Sequence, residues 1–279
     1  MTAKLSIRSS LEFPGHFACF ETLATSPEIQ IVADSRSSIG PTSAPQIYDS
    51  GLNWRVRESG GRVTFESYHP FAGLMVTASS LDFRRYDLLF HEENWERIWN
   101  LARGSHSGFQ IPHPLHQLLF LPPLAREAGL LLHASGAVIG GKAFVFAGHS
   151  GDGKTTLARL LAAEGLELLS DERIALRKEG NAFRAYGTPW PGEGEVVSPS
   201  SYPLAGVFIL RKARRHRVLA GRGSVLAAEL LSRAIVPYYF RRETDSILGL
   251  VHDLATSIPL RELEFSLSGG LIPLLARAA

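Results

Sequence analysis

The stretch FVFAGHSGDGKTTLARLL, residues 144–161, constrains the fold more than any other part of this 279-residue chain. An apolar run leads into glycines, a lysine and two threonines, and a leucine-rich segment follows. That order asks for a strand, a tight loop and a helix in succession. Gly148, His149, Ser150, Gly151, Asp152, Gly153, Lys154 and Thr155 match G-x-x-x-x-G-K-[ST] in full, with Thr156 directly behind. Glycines let the main chain fold around an anion with its N–H groups turned inward, and the helix adds its positive end at the same point. Lys154 supplies a point charge for the outer phosphates of a nucleotide such as ATP, and the Thr155 hydroxyl is placed to ligate Mg2+.

A triphosphate site needs carboxylates as well. LELLSDE runs apolar into Asp171 and Glu172, which predicts a strand whose carboxyl end delivers both acids beside the loop. Two acids permit two jobs: one orders Mg2+ and its water, the other accepts a proton from an attacking hydroxyl. His133 ends the apolar run LLLH, and its chemistry alone fits a hydrogen-bonded core residue as well as a functional one.

The charge balance narrows the partners. Lys and Arg number 29 against 27 Asp and Glu, a net charge of +2, so no global field draws the chain to nucleic acid or to an anionic membrane. Cys19 is the sole cysteine, which excludes an internal disulfide and fits a reducing cytoplasm. No stretch reaches 18 uninterrupted apolar residues and none resembles a secretory h-region, so neither a membrane span nor a signal peptide is expected. His106, His113 and His116 share their stretch with no Cys or carboxylate and are not expected to hold a metal.

Residues 1–125 read as a β-rich N-terminal domain. NWRVRES and RVTFESYH predict a hairpin turning at Gly60 and Gly61. IQIVA and LMVTAS predict further strands, SRSSIGPTSAPQ a loop, and HFACFETLA another β-rich run. NWERIWNLA predicts a helix, and LHQLLFLPPLAREAG a helical stretch interrupted at Pro122 and Pro123. Residues 126–279 read as a second, α/β domain. GLLLHASGAVI and KAFVFAG flank a turn, residues 154–164 form a helix, RIALRKEGNAFRAYG turns at Gly180 and Asn181, and LAGVFILRKA is a buried strand. SVLAAELLSRAIV and TDSILGLVHDLATS predict helices and LRELEFSLS a late strand, giving a three-layer α/β core with a partly antiparallel sheet.

From His133 to Arg173 the chain resembles the catalytic core of HPr kinase/phosphorylase and its smaller relatives, which share a P-loop fold with phosphoenolpyruvate carboxykinases. The features that carry the likeness are His133 on the strand before the loop, the loop at 148–155, Gly165 after a short helix, and the acidic pair only 17 positions beyond Lys154. The resemblance implies an α/β P-loop core with a mixed sheet, use of ATP and Mg2+, and transfer of the γ-phosphoryl to a Ser-type hydroxyl of a peptide or protein. It implies Asp171 as the base, Glu172 as a metal-side acid, His133 near the γ-phosphate, and a homo-oligomer. Glu172 stands where the family usually has Asp, and the glycine-rich phosphorylase signature is missing; YGTPWPGEGE, residues 186–195, occupies that region and reads equally as a lid or a surface turn.

Three functions fit these residues: a hydroxyl kinase, a nucleotide-dependent switch acting on a partner, and a small-molecule or carboxykinase-like enzyme. The last needs a carboxylate-binding arginine, for which Arg211, Arg214, Arg241 and Arg242 are the candidates.

Overall fold

The computed structural model describes residues 5–8, 19–20, 29–102, 111–266 and 270–278; most of HFACFETLA and also His106 lie outside them. The chain divides into two compact units, one running to Pro123 and one starting at Leu124, with the Cys19–Phe20 turn counted in the second.

The first unit holds a seven-stranded sheet among the described residues. Its strands are β1 (Leu5–Arg8), β2 (Ile29–Arg36), β3 (Gln46–Asp49), β4 (Trp54–Ser59), β5 (Arg62–His69), β6 (Gly73–Ser80) and β7 (Arg85–His91), in the order β1-β2-β7-β6-β5-β4-β3. Val56, Phe65, Ala78 and Leu88 stand directly opposite one another on β4, β5, β6 and β7, and all four are buried. This cross-strand row is the apolar unit that fixes register, since a slip by one residue would turn it outward. Gly60 and Gly61 take φ of 57° and 77° between β4 and β5, the left-handed turn that the hairpin reading requires.

Helix α1 (Glu92–Ala102) follows β7, and α2 (Leu115–Arg126) carries Pro122 and Pro123 inside it. The expected interruption at the prolines does not occur. Pro123 has no N–H for the Leu119 carbonyl four residues back; the buried Tyr86 hydroxyl donates to that carbonyl at 2.7 Å instead.

The second unit is built on β8 (Gly129–Ile139), β9 (Lys142–Ala147), β10 (Leu168–Ser170), β11 (Arg173–Glu179), β12 (Ala182–Tyr186), β13 (Ser201–Lys212), β14 (Arg217–Ala220), β15 (Ala234–Ile235) and β16 (Leu260–Phe265). Pairing of β13 with β9 and β16 is parallel and the rest is antiparallel. The helices are α3 (Lys154–Ala163), α4 (Gly223–Leu231), α5 (Arg241–Ser257) and α6 (Leu271–Ala276). Strand alternation splits the core in two: Phe144, Phe146, Phe208 and Leu210 pack with α3 and α6, whereas Val145, Val207 and Ile209 pack with α4 and α5. A sheet covered on both faces is the expected three-layer arrangement.

Two expectations are corrected. The helix read through SVLAAELLSRAIV stops at Leu231, because the Arg233 carbonyl accepts the His133 N–H at 2.8 Å and the next two residues pair with β8. The strand read through GLELLSDE keeps three residues.

Replacing Tyr86 with Phe should cost about 1–2 kcal/mol, because the buried Leu119 carbonyl loses its donor. Urea unfolding of the full chain measures this, and an unchanged midpoint would mean that another donor serves that carbonyl.

Candidate functional site

β8 changes partners at one point along its length. Gly129–His133 pairs with β11, and beyond it Gly136 and Ala137 pair with β10. Along its other edge, Leu131 and Leu132 pair with β15, and Ala134–Ile139 pairs with β9. At the change, the His133 carbonyl accepts the Gly148 N–H at 3.2 Å, and the Ala134 N–H donates to the Glu172 carbonyl at 3.1 Å. The neighbouring strands thus diverge at His133, and in α/β proteins ligand sites favour the places where strands part in this way.

The glycine loop leaves β9 here. The His149 N–H donates to Asp152 Oδ2 at 2.6 Å and the Asp152 N–H to the His149 carbonyl at 3.1 Å, closing a tight turn. Gly153 has φ of 98°, and a Cβ there would lie 2.7 Å from the Phe265 ring, so only glycine fits. The amides of Ser150, Gly151, Gly153, Lys154, Thr155 and Thr156 find no acceptor among the described residues. They gather at the N-terminus of α3, where the helix dipole is positive.

Lys154, 4% exposed, donates to the His149 carbonyl at 3.1 Å and lies 3.5 Å from Glu172. Burial pulls its ammonium below the ordinary lysine value, with Glu172 opposing. Glu172 also accepts from His133 Nε2 at 2.6 Å and from Arg173 at 2.7 Å. Burial pushes its carboxyl up, but the His133 hydrogen bond and the charges of His133, Arg173 and Lys154 prevail and hold it at about 2.

Asp171 has a different setting. It is 0% exposed, and its two oxygens accept the N–H groups of Gly192 and Gly194 at 2.9 and 2.7 Å. A Cβ on Gly194 would lie 2.6 Å from the Asp171 carboxylate and 3.4 Å from the Thr155 side chain. The segment read as a lid or surface turn therefore lies against both acids and the start of α3, with Thr188 and Trp190 buried.

The structure brings His133, Lys154, Asp171 and Glu172 together with the loop. It also adds two arginines that sequence reasoning missed. Arg173 stands opposite His133 on β11; Arg233 stands opposite it along the other edge. Arg233 follows α4 in a run that reads as helix, and no sequence signal marks its strand partner. Its side chain is 5% exposed, and burial lowers its guanidinium from the ordinary arginine value. Of the arginines that were expected, Arg211 is gripped by Glu229 at 2.6 and 2.7 Å, Arg214 and Arg242 are exposed, and exposed Arg241 pairs loosely with Asp245 at 3.7 Å. No group of three or more His, Cys, Asp or Glu is gathered as a metal cage among the described residues. No helix among them is long and apolar enough to cross a membrane.

Fold and site define an α/β protein with an amide-lined, lysine-tipped loop at a split sheet edge. The family model of SynChlorMet cassette protein ScmC matches residues 117–272, more than half of the chain, and the chain belongs to that family. A search of curated proteins finds no match. Among solved structures, the Hpr(Ser) kinase/phosphatase from Coxiella burnetii is similar to 53% of this chain over 92% of its own length, at 15% identity and a TM-score of 0.30.

A carboxylate whose folded value lies below its unfolded one stabilises the fold above the unfolded value and loses that effect as pH falls. Glu172→Gln should therefore be less stable than wild type at pH 7, with the gap constant down to about 4.5 and narrowing towards 2. Urea midpoints at pH 7, 5, 4 and 3 measure it; a gap independent of pH would remove the assigned charge interactions. Asp171→Ala should free the Gly192–Gly194 backbone, and limited proteolysis should then cut within residues 188–195 several-fold faster than in wild type. An unchanged cutting rate would show that other contacts hold that segment.

Proposed function

We propose that the second unit binds a nucleoside triphosphate with Mg2+ at residues 148–156 and transfers its terminal phosphoryl group to a hydroxyl, a serine of a peptide or protein. The observation that carries this reading is the set of six loop and helix amides that find no acceptor among the described residues, with the buried Lys154 ammonium beside them. That set suits a polyphosphate, which offers several oxygens to amides at once and a doubly charged end to a lysine.

The donor set fits the metal as well. Mg2+ keeps most of its water and phosphate ligands and takes one or two from protein, a demand that the Thr155 hydroxyl and one carboxylate meet without a three-residue cage. When bound, the ion neutralises charge that builds on the phosphate oxygens. Glu172 is the better placed acid for that role, being part-exposed, and its hydrogen bond to His133 at 2.6 Å fixes the imidazole beside it. Asp171 as proton acceptor requires release from Gly192 and Gly194, which makes the 188–195 segment part of the working site. Phosphoryl transfer depends on positioning and charge neutralisation more than on covalent chemistry, and the elements meeting at His133 supply both.

Lys154→Ala should weaken ATP binding by at least tenfold while the circular dichroism spectrum stays that of wild type. Incubation of wild type with γ-labelled ATP and candidate peptides should move label to a serine. Rapid release of labelled phosphate with no label on any acceptor would replace transfer by hydrolysis, the behaviour of a nucleotide-dependent switch.

A further inference from the structure

The segment that follows β12 is pinned at both ends and held in its middle by one carboxylate. At its entry, a Cβ on Gly187 would lie 2.1 Å from the Ser198 carbonyl and 2.6 Å from the Leu169 carbonyl. The Thr188 hydroxyl donates to the Arg173 carbonyl at 2.8 Å, and Trp190 is buried. At its exit, Val197 bridges to Ser170 and Ser198 is buried. Between these ends Glu193 and Glu195 are exposed. The Gly192 and Gly194 N–H groups donate to Asp171, and the Glu195 N–H closes a turn onto the Gly192 carbonyl at 3.1 Å. Glu195 keeps φ at 54°, a left-handed conformation that costs energy in a residue with a β-carbon and persists only where its surroundings impose it. Fixed ends, stiff prolines at 189 and 191 and glycines at 192 and 194 suit a segment that moves as a unit.

What the middle covers decides its role. Asp171 is the acid to which the phosphotransfer reading gives the acceptor's proton, and it is 0% exposed. A Cβ on Gly194 would lie 2.6 Å from Asp171 Oδ2 and 3.4 Å from Thr155 Cγ2, and one on Gly192 would lie 2.9 Å from Glu172 Cβ and 3.0 Å from Asp171 Oδ2. The backbone here thus lies within contact distance of the acid and of the first turn of α3, with no room for a methyl group against the carboxylate. No hydroxyl from solution reaches Asp171 in this state.

We propose that residues 191–195 form an autoinhibitory strap, which occupies Asp171 in place of the acceptor and lifts about its pinned ends to admit it. The proposal rests on the phosphotransfer reading. With the strap lifted, the acceptor oxygen bonds to the γ-phosphorus as the bond from that phosphorus to its bridging oxygen breaks. ADP leaves with that electron pair, and the hydroxyl proton passes to Asp171. Water is the smallest acceptor, so a strap that lifts too readily shows itself as faster ATP hydrolysis.

Gly194→Ala drives a methyl group against Asp171 and leaves both acids, Lys154 and Thr155 unchanged. With ATP and Mg2+ and no added acceptor, phosphate release should rise about fivefold or more over wild type in this variant and in Gly192→Ala. Hydrogen exchange across residues 188–197 should quicken in both. AMP-PNP should bind no more weakly than to wild type. Adding Asp171→Asn to Gly194→Ala should return phosphate release to the wild-type rate or below, because the gain runs through that acid. Circular dichroism checks each fold, and if Gly194→Ala does not fold, Gly192→Ala decides, alone and with Asp171→Asn. Release that is unchanged or slower in the alanine variants, with AMP-PNP still bound, would make the segment a support for Asp171 and overturn autoinhibition while the phosphotransfer reading stands. Release that rises and stays high with Asp171→Asn added would overturn it as well. Wild type that binds no AMP-PNP would remove the phosphotransfer reading and the strap's role with it.

Discussion

The second unit depends on one strand keeping its backbone bonded through a change of partners. β8 has β11 and then β10 along one edge, and β15 and then β9 along the other. Buried N–H and C=O groups must be satisfied, and at the change three loop or turn residues do it: Arg233, Gly148 and Glu172. Those bonds place the end of α4, the start of the glycine loop and the acidic corner within one residue's length of each other on β8. The chemistry of the site follows from a backbone requirement, with side chains gathered because their main chains are needed there.

The acids divide their labour through exposure. Asp171 spends both oxygens on backbone amides of a glycine-rich segment, and charge-assisted bonds of this kind outweigh neutral ones. Glu172, next in sequence, meets His133 at 2.6 Å, Arg173 at 2.7 Å and Lys154 at 3.5 Å. The bend at Asp171 and Glu172, closed by the Ser170 hydroxyl accepting the N–H groups of Glu172 and Arg173, thus gives two neighbouring acids separate sets of partners.

Much of this was legible in the sequence. Alternation and glycine turns marked β4, β5, β8, β9, β11 and β12, and the glycine–lysine pattern with the acidic pair marked the loop and its neighbours. What escaped notice has physical reasons. Pro122 and Pro123 forecast a break that a tertiary hydroxyl, Tyr86, repairs, and no local rule sees a donor 33 residues away. RYDLLFH became β7; its start alternates, but Leu88, Leu89 and Phe90 run on apolar and no glycine turn marks its end, which leaves a short signal. Arg233 was hidden because LLSRAIV continues the apolar run of SVLAAELL without a glycine or proline to stop it; the need of β8 for a partner, a non-local demand, ends the helix two residues earlier.

Glu172 and Glu229 are both shared carboxylates, each with close partners and a further cation at a greater distance. Glu172 holds His133 at 2.6 Å and Arg173 at 2.7 Å, while Lys154 stands off at 3.5 Å. Glu229 holds Arg211 at 2.6 and 2.7 Å, while Arg233 stands off at 3.3 Å. A carboxylate's lone pairs are best used by close donors, so the more distant cation gains mainly from Coulomb attraction. Both loosely held cations are more than nine-tenths buried, where weak dielectric screening makes a new anion most valuable to them and a missing one most costly. The tightly bonded partners fix geometry, and the more distant cations, Lys154 and Arg233, are held mainly by charge.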